Sequence, residues 1–227
     1  MELAGATWPQ VDATAGRSLL AIPLGSTEQH GPHLPFDTDT RIAGAIVRAL
    51  AARRPDVVVA PPLAYGASGE HAAFPGTLLI GHGVLADVLS ELVRSARGSF
   101  RGVLLVCAHG GNHDALTALQ RRSTEEGDDV LVWTAGRADG DAHAGRTETS
   151  LMLAIDQPTV RSDLAEAGCT EPLHALLPRL RSVGVRPVSS NGVLGDPAGA
   201  SAEEGRALLG WLVTDLAAAV SSHWPSS

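Results

Sequence analysis

Glu28, His30 and Asp39, side chains able to hold a metal ion, lie within the segment Gly25-Ser-Thr-Glu-Gln-His-Gly-Pro-His-Leu-Pro-Phe-Asp-Thr-Asp39. Glu28 and His30 are two positions apart, so an extended backbone points both side chains the same way. Gly31, Pro32 and Pro35 cannot continue a helix or a ladder, and the turn they impose can bring Asp39 back to that pair. Carboxylates beside imidazoles form the donor set taken by zinc, iron and manganese. Held at the end of a core strand, such a set points to metal-assisted hydrolysis.

Two further clusters have the same placement. His109, in Ala108-His-Gly-Gly-Asn-His-Asp114, follows an apolar run and precedes a helix. Gly110 and Gly111 let the backbone come close to a metal or substrate there. Asn112 reads either as a helix N-cap or as a substrate hydrogen-bonding group, and His113 is a candidate for the substrate pocket. His143 and Glu148 share the segment His143-Ala-Gly-Arg-Thr-Glu-Thr-Ser150. Taken alone, Glu148 is equally a carboxylate at the positive end of a helix, and His143 equally a loop histidine. Three acid and imidazole clusters, each after a strand, are far less coincidental than one. A fourth loop, Tyr65 to Thr77, carries Ser68, Glu70 and His71 and reads as a substrate-pocket wall or a subunit contact. His33, His82, His174 and His223 read as surface or capping histidines.

The elements that must position these groups alternate. Strands are predicted at Ser18 to Leu24, Val57 to Ala60, Gly102 to Cys107 and Val130 to Thr134. Helices are predicted at Thr38 to Arg54, Val84 to Arg97, Asn112 to Glu126 and Glu148 to Ile155, from apolar residues at helical spacing. Residues 182 to 200 read as a Gly/Pro-rich loop, with Val185 to Val188 an edge strand. Ser201-Ala-Glu-Glu204 reads as a capping box opening a last helix. The alternation implies an α/β fold, a three-layer α/β/α sandwich with a mainly parallel sheet, in a single domain over residues 1–227. Such sheets bind ligands at the carboxyl ends of their strands, where all three clusters fall.

Composition excludes several chemistries. All 17 basic residues are Arg, so neither a Schiff-base lysine nor a P-loop lysine exists. A net charge of −8 argues against a nucleic-acid partner. Cys107 and Cys169 stand far apart with no CxxC, which suits a reduced compartment. With no signal-like start and no long apolar run, the expectation is a cytoplasmic protein without membrane association.

Together the four segments resemble the creatininase family of metal-dependent amidohydrolases. The matches are Gly-Ser-Thr-Glu-Gln-His-Gly-Pro-His-Leu-Pro with Asp39, Tyr-Gly-x-Ser-x-Glu-His-x-x-Phe-x-Gly-Thr, His-Gly-Gly-Asn, and His-Ala-Gly-x-x-Glu-Thr-Ser, in family order. The resemblance implies two divalent ions per subunit (Fe2+, Zn2+ or Mn2+). Glu28 and His109 would serve one ion and His30 and Glu148 the other, with Asp39 bridging. His143 would carry the proton to the leaving amine, and Ser68, Glu70, His71, Asn112 and His113 would face the substrate. It also implies a homo-oligomer.

Within the family the chain is most similar to members that act on a modified precursor peptide. Leu34-Pro-Phe-Asp-Thr-Asp-Thr-Arg41, Gly66-Ala-Ser-Gly-Glu-His71 and Gly192-Val-Leu-Gly-Asp-Pro197 carry that likeness. In two places it departs from the pattern: Cys107-Ala108 precedes His109 where relatives carry Asn-Gly, and Asn112 stands where creatininase has a carboxylate soon after the histidine. The second departure moves one expected ligand elsewhere, to Glu148. The competing readings are a hydrolase of a small cyclic amide or formamide and a non-catalytic metal-binding scaffold.

Overall fold

The computed structural model describes residues 1–136 and 140–225. In chain order the elements are α1 (Trp8–Asp12), β1 (Leu19–Leu24), α2 (Thr38–Arg53), β2 (Val57–Val59), α3 (His82–Ala96), β3 (Gly102–Cys107), α4 (His113–Glu126), β4 (Val130–Thr134), α5 (Arg146–Asp156), α6 (Leu173–Val183) and α7 (Ala202–His223). The four strands form one parallel sheet in the order β2-β1-β3-β4.

β1 and β3 are buried along their whole length, as continuous apolar runs in a sheet covered on both faces must be. Alternate residues supply the two faces. Leu19, Ala21, Leu104 and Val106 pack with Ile42, Ile46 and Leu50 of α2, Leu151 and Met152 of α5 and Leu212 and Leu216 of α7. Leu20, Ile22, Leu105 and Cys107 pack with Leu85 and Leu89 of α3 and Leu116 and Leu119 of α4. The result is the expected three-layer sandwich. Pro23 is tolerated in the central strand because its own carbonyl and its missing N–H face the β2 side, where β2 has already ended before Pro61 and Pro62.

From β1 the chain crosses to β2 on one side and later returns to place β3 on the other. The crevice between the carboxyl ends of β1 and β3 is therefore a topological switch point, where open α/β sheets take their ligands.

Two readings of the later chain need correction. Val185 to Val188 form turns, with Val185 buried against Leu176, Leu180 and Leu194 and no strand beside them. The capping box is half formed: Ser201 Oγ accepts from the Glu204 backbone at 3.1 Å, but the Glu204 carboxylate turns to Arg146 and Ser150 instead. That diversion ties α7 to α5, whose chains meet closely: a Cβ on Gly205 would lie 1.8 Å from the Ser150 carbonyl oxygen.

Candidate metal centre

The loop after β1 delivers Glu28 and His30, and the first turn of α2 delivers Asp39. The segment after β3 delivers His109, and the first turn of α5 delivers Glu148. All five converge on the crevice. Glu28 and His30 are fully buried, and Asp39 and His109 nearly so.

Asp39 stands at the middle. Its Oδ1 lies 3.1 Å from His30 Nε2 and its Oδ2 3.1 Å from His109 Nδ1, with Ser26 Oγ donating to Oδ2 at 2.8 Å. Glu28 Oε2 is 3.2 Å from His109 Nε2, and Glu148 Oε2 is 3.9 Å from His30 Nε2. Donor atoms of Glu28, Asp39 and His109 lie within 4.8 Å of one another, as do those of His30, His143 and Glu148 and those of Glu28, His71 and His143. The Asp39 carboxylate thus touches a ring on each side of the centre.

The donor chemistry calls for cations. Both oxygens of the buried Glu28 carboxylate lack a hydrogen-bond partner. His30 Nδ1 is 3.1 Å from the Glu28 carbonyl oxygen, which can only accept, while its Nε2 faces carboxylates. His109 likewise faces Asp39 on Nδ1 and Glu28 and the Ala67 carbonyl on Nε2. Each ring must therefore either be an imidazolium or give one nitrogen to a metal, its other N–H being held by oxygen, as is usual for metal-ligating histidines.

Charge follows from this crowding. With no ion between the groups, burial pushes Glu28 up to about 7 against the pull of His109, and burial raises Glu148 to about 7. Burial disfavours a charged His30, but the facing Asp39 carboxylate outweighs it and raises the ring to about 10. In His109, burial is outweighed by Glu28 and Asp39, again to about 10. Asp39 is buried too, yet the His30 charge and the hydrogen bonds of both rings hold it well below the carboxylate range.

The raised groups carry protons that an ion must displace. Metal binding should therefore release protons, and apparent affinity should rise with pH up to about 10, most steeply below about 7, where the two glutamates and both rings still carry protons. Calorimetry in buffers of different ionisation enthalpy checks this; a pH-independent affinity without proton release would contradict it.

The other predicted residues divide. His143 is buried with its Nε2 2.8 Å from the Gln29 carbonyl oxygen, and its ring lies 4.3 Å from that of His30. Ala144, the next residue, takes a left-handed φ of 52° and donates its N–H to Glu148 Oε2 at 2.6 Å. That unusual backbone turn lets neighbouring positions on the chain serve one site. His71 also enters the cluster, 3.4 Å from Glu28 Oε1. Ser68 Oγ reaches His109 Nε2 at 3.3 Å, and Glu70 Oε1 lies close to Gly111, the glycine beside that ring.

His113 sits exposed at the start of α4. Asn112 is fully buried and its amide serves the fold. Its Oδ1 accepts from Ala67 N at 2.8 Å and its Nδ2 donates to the Gly25 carbonyl at 3.1 Å, pinning two active-edge loops together. Asn112→Ala should cost about 1–3 kcal/mol for each buried group left unsatisfied. Denaturant melts of the variant would read this; unchanged stability with a raised KM would mark a substrate contact instead.

His33, read as a surface histidine, is buried. Its Nε2 pairs with Thr149 Oγ1 at 2.9 Å, and burial, helped by His30, pushes the ring down to about 4. Ser26 and Gln29 carry no charge, and only the fold, by burying them beside these ligands, marks them as part of the site.

Residues 4–220 match the creatininase family model, described as creatinine amidohydrolase. The chain belongs to the creatininase family. Among its relatives in that family, the mycofactocin precursor peptide peptidase of Mycobacterium ulcerans (strain Agy99) is 47% identical, over 96% of this chain and 87% of the relative. The creatinine amidohydrolase of Pseudomonas putida is 27% identical, over 96% of this chain and 95% of the relative. A solved mutant creatininase superposes with a TM-score of 0.82 at 25% identity, covering 99% of each chain. A further creatininase structure, described as Zn-Zn type, also reaches 0.82 at 25% identity, covering 99% of this chain and 98% of the other. As a creatininase-family member the chain is a metal-dependent hydrolase acting on C–N amide bonds.

Proposed function

We propose that this chain cleaves the modified C-terminal Val-Tyr dipeptide from the mycofactocin precursor peptide. The observation that carries the reading is the likeness, 47% over nearly the whole chain, to a peptidase of that description. In this reading Glu28, Asp39 and His109 hold one divalent ion, and His30, Asp39 and Glu148 the other. Zinc, iron(II) and manganese all suit such oxygen and imidazole donors. When bound, the ions supply Lewis acidity and an activated water.

The chain's own residues do the rest. Asp39 keeps the two ligand groups in one register, and His143 moves the proton from water to the departing amine. The neighbouring loops are rich in glycine and alanine (Gly66 to Gly69, Gly110 to Gly111, Gly192 to Gly199), which leaves room for a peptide end. With no lysine in the chain, a long acidic peptide has little electrostatic steering toward the site, which favours recognition of a small modified terminus. Exposed Tyr65, Leu78, Leu79 and Val84 in one stretch of chain support a homo-oligomer. We place the enzyme in the cytoplasm; among the described residues no helix is long and apolar enough to cross a membrane.

Mass spectrometry of the metal-loaded enzyme with modified and unmodified precursor, side by side, tests the substrate. Release of the modified dipeptide is expected, with little action on unmodified peptide or creatinine. Equal cleavage of both peptides, or turnover of creatinine alone, would shift the function to a small-amide hydrolase of the same family.

A further inference from the structure

Gln29 sits between two imidazoles, and its contacts fix where their protons must be. Its Oε1 accepts from Gly31 N at 2.9 Å and its Nε2 donates to the Gly192 carbonyl at 3.1 Å, which sets the orientation of the amide. Gly192 is pressed onto this amide, since a Cβ there would lie 1.9 Å from Oε1. The second Nε2 hydrogen goes to His71 Nδ1, 2.9 Å away. His71 Nδ1 is therefore bare, and the proton of the neutral ring is on Nε2. That N–H faces the centre, 3.4 Å from Glu28 Oε1, an oxygen with no hydrogen-bond partner.

His143 is fixed in the opposite sense. Its Nε2 lies 2.8 Å from the backbone carbonyl of Gln29, which can only accept, so Nε2 carries the proton. Its bare Nδ1 faces the centre, 3.7 Å from the same Glu28 oxygen. Both amide hydrogens of Gln29 are already used, so its 3.2 Å approach to His143 Nε2 is a contact between two donors. The two rings are 4.5 Å apart.

We propose that Gln29 is a positioning residue that gives adjacent imidazoles opposite proton roles, with His71 the hydrogen-bond donor and His143 the proton acceptor at the reaction centre. This rests on the amide-hydrolysis reading above. As water oxygen bonds to the carbonyl carbon, its proton passes to His143 Nδ1 and the carbonyl π pair moves onto oxygen, which His71 Nε2–H steadies. The pair then re-forms the carbonyl as the C–N bond breaks, and the proton on His143 passes to the departing nitrogen. No charge change on either ring is needed before the reaction begins.

The test is nitrogen-15 NMR of the full chain loaded with zinc, a diamagnetic ion. Both His71 and His143 should carry their proton on Nε2; a proton on Nδ1 of either ring overturns the proposal. This readout does not depend on turnover, so a wrong substrate would leave it standing, and a wrong tautomer would leave amide hydrolysis standing. In Gln29→Leu the His71 proton should redistribute toward Nδ1 while His143 keeps its own on Nε2. Turnover should then fall about 10²–10³-fold, the usual worth of one oxyanion donor, with zinc content unchanged. An unaltered His71 tautomer in that variant, or loss of zinc in His71→Ala, would also overturn it.

Discussion

Asp39→Asn should strip the proposed pair of ions from the enzyme and abolish turnover while leaving the fold in place. Its two oxygens stand 3.1 Å from His30 Nε2 and from His109 Nδ1, so this carboxylate touches a ring on each side of the centre. An amide of the same shape removes the negative charge and turns an N–H₂ group toward one of the two rings. Neighbouring cations without an intervening anion repel one another. The loss should be several kcal/mol of transition-state stabilisation, about 10³-fold or more in rate. Elemental analysis and circular dichroism on the purified variant decide the matter. Full metal occupancy in Asp39→Asn would remove Asp39 from the bridging position, and loss of secondary structure would make its role structural.

His143→Ala should behave differently, with metals retained and kcat reduced about 10²–10⁴-fold, the usual worth of a general acid or base. The ring is within reach of His30 and Glu148, so its position alone suits a ligand as well. Occupancy separates the two roles. If His143→Ala empties the His30 side of the centre, the imidazole is a ligand and another group must move the proton. An added imidazole that restored turnover without changing metal content would favour the proton-transfer role.

The layers and the edge that carries the site were legible because β1 and β3 read as unbroken apolar runs and the helices between them kept their period. Glu28, His30 and His109 announce themselves by following those runs. α6 was not legible. Its sequence, Leu173 to Val183, contains Pro178 and few apolar residues that end up buried, and only Leu176 and Leu180 lock it to the body. His71 reads as a substrate-facing residue, but the Tyr65 to Thr77 loop does not show how near it comes to Glu28, because no strand precedes it directly. The 3-10 turn at Gly69–His71 supplies the inward swing, and Val185 N anchors it by donating to the Glu70 carbonyl at 2.8 Å. His33 reads as a surface histidine, but α5 lies over its turn and Thr149 pairs with the buried ring.

The proposed ligands come from separate stretches of the chain, beginning at Glu28 and ending at Glu148, so each bound ion would act as a reversible cross-link. Because the ion leaves as the chain unfolds, its binding free energy adds to the stability of the native state. Unfolding and ion release then become one event. The melting temperature should climb with free metal concentration and drop to a fixed floor in excess chelator, as mass action requires of a ligand that binds only the native state.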